Sequence, residues 1–155
     1  MQIAICNVGN QECSVHIEDV KEIICKEKIS KIPDLPEYIE GMINLRGQVF
    51  VVYDLRKKFH LEYYCDDNSK IVIFNYKNIG FIVDEVIEII EVDESDFDKK
   101  PQLPDLISKK FISNIVKVGE RVIVDLDIER ILDAKEEELI DGILEGEIEQ
   151  LDNDI

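Results

Sequence analysis

Two histidines, four cysteines and 35 acidic side chains are the groups in this 155-residue chain that could carry chemistry, and their spacing carries little of it. His16 and His60 stand in no local motif that pairs a base with a nucleophile or acid partner, and a general base works only within hydrogen-bond reach of its partner. Both are expected to be strand or surface residues. Cys6, Cys13, Cys25 and Cys65 form no C-x-x-C pair, the spacing on which zinc and redox sites rely. The opening MQIAICNVG has neither a basic flank nor an apolar signal core, so the cysteines read as reduced, half-buried thiols. Acidic clusters at Asp66-Asp67 and Asp93–Asp98 lack the D-x-[DN]-x-[DN]-G-x5-E frame of a calcium loop. The Gly-rich phosphate and dinucleotide motifs and H-E-x-x-H are also missing, which leaves no device for nucleotide or zinc chemistry. The expectation is a protein with no catalytic residue, metal or cofactor.

Charge narrows the partners. The formal net charge is −17, and binding to nucleic acid or an anionic membrane needs a basic footprint. No apolar run reaches the roughly 18 residues of a spanning helix. Nucleic acid and membrane insertion are therefore excluded, and a cytoplasmic protein is expected. From Asp133 to Ile155 there are ten acidic residues against one lysine, which reads as a solvated, partly frayed tail over about 141–155.

The remaining residues must be placed by β-structure. Ile3 to Val8 is a strand-length apolar run, and Cys13, Val15 and Ile17 alternate as on a half-buried strand. Glu18 to Ile24 follows, with acidic residues first and Val20, Ile23 and Ile24 on one side of a helical turn. Being too short for a stable helix, it is expected as a packed connector between strands. Between Ile32 and Phe59 two β-branched runs, Met42 to Leu45 and Val49 to Tyr53, flank Arg46-Gly47-Gln48 and predict a β-hairpin. Asp54 then caps a short basic segment.

These blocks recur in order. Ile71 to Asn78 mirrors Ile3 to Asn10, Asp84 to Ile90 mirrors Glu18 to Ile24, and Ile115 to Asp127 mirrors the hairpin, with Gly119 answering Gly47. Ordered self-similarity of this kind marks a duplicated unit. Each unit, about 2–68 and 69–128, supplies about five short strands that are expected to curl into a small barrel, with the two barrels packed over a shared core. Asp93 to Leu106, with Pro101 and Pro104, is expected to be an exposed loop. From about residue 127, Ile128, Leu132, Leu139, Ile140, Ile143, Leu144 and Ile148 repeat near 3.6 residues and predict an amphipathic helix. Gly142 and Gly146 should fray it past about 141. The fold class is thus mainly β: two five-stranded barrels in a single domain over 1–140, short helices, and a C-terminal helix.

The central stretch supports a further step. Ile32-Pro33, Pro36, Gly41, Ile43-Asn44-Leu45-Arg46-Gly47 and Asp54-Leu55-Arg56, followed by Gly80, Val83-Asp84 with Val86, and Gly119 leading to Asp125-Leu126-Asp127, resemble the signature of the CheW family of chemotaxis coupling proteins. The similarity spans about residues 2–135. Two positions depart from the family pattern: Val51, where a proline is common, and Ser113-Asn114, where a glycine is common.

The resemblance implies an adaptor of two SH3-like barrels. It would join the cytoplasmic tip of methyl-accepting chemotaxis receptors to the regulatory domain of the CheA histidine kinase, at receptor arrays on the inner face of the membrane. The length implies no fused receiver domain. The family's receptor groove maps onto Ile17, Val20, Glu22, Ile23, Val86 and Ile89, and a helical tip needs such an apolar groove. For Ile23 and Ile89 a core role competes evenly. Gly41 and Arg46 at the hairpin, and Leu103 in the proline loop, map onto kinase or partner contacts. A salt bridge from Arg46 to Glu40 or Asp54 is the competing reading. Two other functions stay open: a small ligand in the cleft between the barrels, and an adaptor in a receptor–kinase pathway outside chemotaxis.

Overall fold

The computed structural model describes residues 1–26, 29–62, 68–98, 111–132 and 138–146. Its strands are β1 (Gln2–Val8), β2 (Gln11–His16), β3 (Val20–Cys25), β4 (Ile39–Leu45), β5 (Gln48–Asp54), β6 (Lys70–Phe74), β7 (Ile79–Val83), β8 (Glu85–Glu91), β9 (Phe97–Asp98), β10 (Ile112–Val118) and β11 (Arg121–Leu126). They form two sheets, in the orders β8-β1-β2-β11-β10-β9 and β3-β6-β7-β5-β4. Short helices α1 (Leu55–Lys58) and α2 (Ile128–Ile131) follow β5 and β11. Residues 138–146 form a further helix, α3.

The duplication is visible in the pairing. Strand β8 lies antiparallel on β1 as β3 lies on β6. In parallel ladders, Val124 pairs with Cys13 and Asp125 with Ser14, as Val51 pairs with Ile79 and Val52 with Gly80. The sheets do not follow the sequence halves, however. The β1–β2 hairpin joins strands of the second half, and β6–β7 joins strands of the first. Residues 68–69 thus divide the two copies of the repeat but not the two sheets.

Each sheet is apolar on both faces, as the continuous runs of β1, β6 and β7 require. One face encloses a small private cluster: Ile3, Ile5, Val92, Val116 and Ile123 in the first sheet, and Ile43, Phe50, Val52, Ile71, Ile73 and Ile82 in the second. The opposite faces meet in a larger shared cluster that includes Ala4, Cys6, Val15, Val51, Val72, Phe74, Phe81 and Leu126. Burying one such aliphatic side chain contributes about 1.5–3 kcal/mol, so this seam dominates the stability.

The connectors after β2 and β7 differ from the expected helical turns. Ile17–Asp19 is a single 3-10 turn, and the residues that follow are strand β3. Its counterpart, Glu85–Glu91, is strand β8 throughout. The helix-like spacing has a specific cause. A β-bulge shifts the register between Val20 and Glu22 in β3, and an equivalent bulge in β8 lies where Val86 faces Cys6 and Glu88 faces Ile5. One extra residue puts side chains three apart on the same face, which in sequence imitates a helix.

At the C-terminus α3 continues past residue 141. Ile140 is fully buried, and Leu139, Ile143 and Leu144 pack on the shared cluster, which offsets the roughly 1 kcal/mol cost of Gly142. Residues 147–155 lie outside the described residues. The loop expected from Asp93 begins with a 3-10 turn at Glu94–Asp96, closed by reciprocal Asp93 and Asp96 caps, and continues as β9. Residues 99–106 of that loop lie outside the described residues. Cys6 and Cys13 face each other across β1 and β2 and are fully rather than half buried. Burial pushes the Cys6 thiol up to about 12 and Cys13 in the same direction, leaving both inert.

Candidate functional site

Strands β3 and β8 are edge strands, each bonded to one neighbour only in its sheet. Their bulges decide what they present. Val20 pairs with Phe74 and Ile23 with Val72, both of which belong to the shared cluster. Val86 pairs with Cys6 and Ile89 with Ala4, again members of that cluster. Each edge therefore turns two apolar residues towards the seam. Ile17, Val20, Ile23 and Val86 are half buried there, whereas Ile89 is 53% exposed. Ile23 is thus partly core, and Ile89 is surface.

Glu22 and Arg46 come together in a way the sequence does not reveal. Arg46 forms the tip of the β4–β5 hairpin with Gly47, both at positive φ (52° and 85°). Two such residues make the primed turn that matches strand twist, a position that favours Asn, Asp or Gly. Asn44 steadies it by accepting from the Gly47 amide at 2.9 Å. The Arg46 guanidinium reaches β3 and donates to the Glu22 carboxylate while its side chain stays 70% exposed. The partner is therefore Glu22, whereas Glu40 bonds Lys57 and Asp54 bonds Arg56.

Gly41 is buried at φ 146°, and a Cβ there would stand 2.1 Å from the Ser30 carbonyl oxygen. Ser30 and Met42 exchange two backbone hydrogen bonds of 2.9 Å beside it. The glycine is needed for that close approach. Leu103 lies outside the described residues.

Two polar groups escaped the sequence reading. In the first, Arg56 is buried with Asp54: its Nε and Nη2 donate to the two Asp54 oxygens at 3.0 and 2.9 Å, and its Nη1 donates to Asp84 at 2.8 Å. Asp84 also accepts from the Gly9 amide at 2.6 Å. Burial works to lower the Arg56 pKa, but the bonds to Asp54 and Asp84 hold it above its ordinary value.

In the second, Asp125 is fully buried and accepts from Ser14 Oγ at 2.8 Å and Ser113 Oγ at 2.9 Å, with His16 Nε2 at 3.0 Å. The bond to Asp125 holds His16 above its ordinary pKa, against the opposing effect of burial. Neither serine hydroxyl bonds the imidazole; both point to the carboxylate. A nucleophile must be held by its base, so this arrangement positions a histidine and does not activate a serine. Beside it, between the sheets, lies a cavity of about 300 Å³ lined by His16, Asp19, Asn75, Ser113, Asp127 and Glu129, among others. Among the described residues no group of His, Cys, Asp and Glu is placed to hold a metal ion, and no helix is long and apolar enough to cross a membrane.

Comparison with known proteins places the chain among similar sequences and folds. Residues 2–136 match the family model of the CheW-like domain. The chain is 36% identical over 131 residues to the chemotaxis protein CheW of Bacillus subtilis, covering 83% of this chain and 84% of that one. It is 29% identical over 142 residues to the chemotaxis protein CheW of Treponema pallidum, covering 87% and 84%. The crystal structure of the scaffolding protein TtCheW from Thermoanaerobacter tengcongensis superposes with a TM-score of 0.79 at 30% identity, covering 87% of this chain and 89% of that one.

Proposed function

The chain belongs to the CheW-like domain family of chemotaxis scaffolds, and from that premise we propose that it joins the cytoplasmic tip of a chemotaxis receptor to the regulatory domain of the CheA kinase. It works by binding alone, as a non-catalytic adaptor recruited to receptor arrays at the inner face of the membrane. The receptor's helical tip lies along the seam edges, against Ile17, Val20, Ile23, Val86 and Ile89, with Glu22 at the rim. The kinase meets the hairpin at Gly41 and Arg46, and meets Leu103.

The observation that carries the reading is Arg46. A left-handed backbone costs a residue with a Cβ roughly 1–2 kcal/mol, and an arginine held there and exposed is the kind of strain found at functional positions. Its planar fork reaches a partner carboxylate bidentately once Glu22 is displaced or shared. The matching bulges of β3 and β8 support the receptor part, because they give each edge a pair of apolar anchors suited to a helix in a groove.

The test uses calorimetry of the full chain against a CheA regulatory domain and a receptor-tip fragment. Arg46→Asp should weaken kinase binding, and Ile89→Asp receptor binding, each by about tenfold or more, with the melting temperature unchanged. Absence of binding by the wild type at tens of micromolar, where a transient interface shows itself, would sink the proposal. So would a loss of several degrees in either variant.

A further inference from the structure

The two seam edges open on equivalent acids that face different cations. Strand β8 begins directly after Asp84, and in the repeat Asp84 answers Glu18, in the 3-10 turn before β3. Asp84 accepts from Arg56 Nη1 at 2.8 Å and from the Gly9 amide at 2.6 Å. A guanidinium keeps its charge at every physiological pH, so this edge is held permanently. Glu18 faces a histidine instead. Its carboxylate stands 3.9 Å from His16 Nδ1, with the Glu18 side chain 77% exposed.

His16 ends β2 and is followed at once by Ile17, one of the half-buried apolar residues at the seam. Its Nε2 lies 3.0 Å from the fully buried Asp125 carboxylate, so that nitrogen carries a proton whether the ring is neutral or charged. Nδ1 is therefore the nitrogen that gains or loses a proton. The turn that follows has no side-chain cap at its His16 end. Its far end is tied to the end of β6, where the Asn75 amide bonds the Asp19 carbonyl at 2.9 Å and Asn75 Nδ2 bonds the Glu18 carbonyl at 3.5 Å. A protonated Nδ1 supplies the fastening that the Ile17 end lacks.

The surrounding charges favour that proton. Asp19 shares the turn, and Asp127 and Glu129 line the same cavity as the ring. Arg130 lies 3.3 Å from Asp127 and is 65% exposed. From β9 Phe97 presents its ring at 6.0 Å, and the adjacent Asp98 pairs with Lys117. Ser14 and Ser113 are neutral and spend their hydroxyls on Asp125. The bond to Asp125, with the charges of Asp19 and Glu18, holds the folded pKa above 6.5 against the effect of burial. The imidazole is 22% exposed, so it exchanges protons with solvent.

We propose that His16 positions the β3 edge through its proton: doubly protonated, it holds Glu18 and the turn that presents Ile17 and Val20, and on losing the Nδ1 proton it releases them. The β8 edge, held by Arg56, does not respond. The inference rests on the receptor reading above, for which it names a regulator. A preorganised edge binds more tightly because less ordering is left to binding, so receptor affinity rises as the pH falls. An exposed ion pair is weak, which sets the scale of the effect at about two- to threefold.

The test titrates the full chain with a receptor-tip fragment by calorimetry at pH 6 and pH 8. Wild type should bind about two- to threefold more tightly at the lower pH. His16→Gln, which still donates to Asp125 but does not titrate, should lose that gain. Titration of the fragment itself is common to both proteins and drops out of the comparison. A second measurement needs no receptor. Glu18→Gln, an exposed change, should lower the NMR midpoint of the His16 imidazole by about 0.3 on the pH scale, because a proton that fastens Glu18 is favoured by Glu18 in return. Equal pH dependence in wild type and His16→Gln overturns the proposal, and so does an unmoved midpoint in Glu18→Gln. Absence of wild-type binding at both pH values sinks the receptor reading instead, and the midpoint then decides the His16–Glu18 coupling alone.

Discussion

The parallel junctions of the two sheets are built on the same frame and filled in opposite ways. In the second sheet the junction places Val52 beside Gly80, with Ile82 two residues on, all buried in an aliphatic cluster. In the first sheet the same places are taken by Asp125, Ser14 and His16. The fold itself does not need polar groups there, since its other copy does without them. Burying a carboxylate is costly unless its oxygens are bonded, and the first sheet commits two serines and a histidine to that task. The cap network shows the reverse asymmetry: Asp54 and Arg56 are buried against a half-buried Asp84 in one copy, while in the other a half-buried Asp127 pairs with an exposed Arg130.

The largest effect should come from breaking the buried cap. Arg56→Met leaves Asp54 buried without its cation and should cost about 3–5 kcal/mol. Arg130→Met at the exposed relative should stay within about 1 kcal/mol. Urea denaturation of both variants checks this, and equal losses would erase the distinction between the caps. An intermediate effect is expected at the polar junction, where Asp125→Val, the residue of the other copy, strands three donors and should cost about 1–3 kcal/mol.

That junction also has a pH signature. The folded pKa of His16 is raised from 6.5, so its contribution to stability is complete below that value and fades as the pH rises through the folded pKa. Wild type should therefore gain stability over His16→Gln on going from pH 8 to pH 6, and parallel pH profiles of the two would contradict the assignment. The smallest stability effect belongs to Arg46→Asn. Asparagine suits the left-handed turn better, so the melting temperature should hold or rise slightly while kinase binding falls.

Much of the frame was legible because short-range patterns encode it. The Arg46-Gly47 hairpin, the strand periods and the repeat all follow from local residue choice, and the sheet pairing reproduces them. Strands β3 and β8 were misread because a single inserted residue changes a two-residue period into a three-residue one, and Val20 to Ile23 carries no other mark of the bulge. The seam positions of Val20, Ile23 and Val86 were recoverable only through the family resemblance. The clusters around Asp125 and Arg56 were not recoverable at all. Ser14 and Asp125 are 111 residues apart and meet only because β2 runs parallel to β11, a pairing no local signal announces. The sole hint was Asp125 within the apolar run Val122 to Leu126, and the same chain shows with Val52 that the position can be aliphatic.

The exchange of hairpins between the halves sets an order of assembly. Every strand of the β3-β6-β7-β5-β4 sheet has been synthesised once the chain reaches Val83, so this sheet can close on a ribosome. The β1–β2 hairpin, although made first, stays without its parallel neighbour until Leu126 emerges. Contacts of that separation form slowly, and an apolar hairpin left waiting is an adhesive edge for other nascent chains. A hairpin that precedes every strand of the other sheet in the chain is thus among the last to find its place. A break in the chain anywhere between Cys25 and Ile112 separates strands of one sheet or the other, so the molecule matures as one piece or not at all.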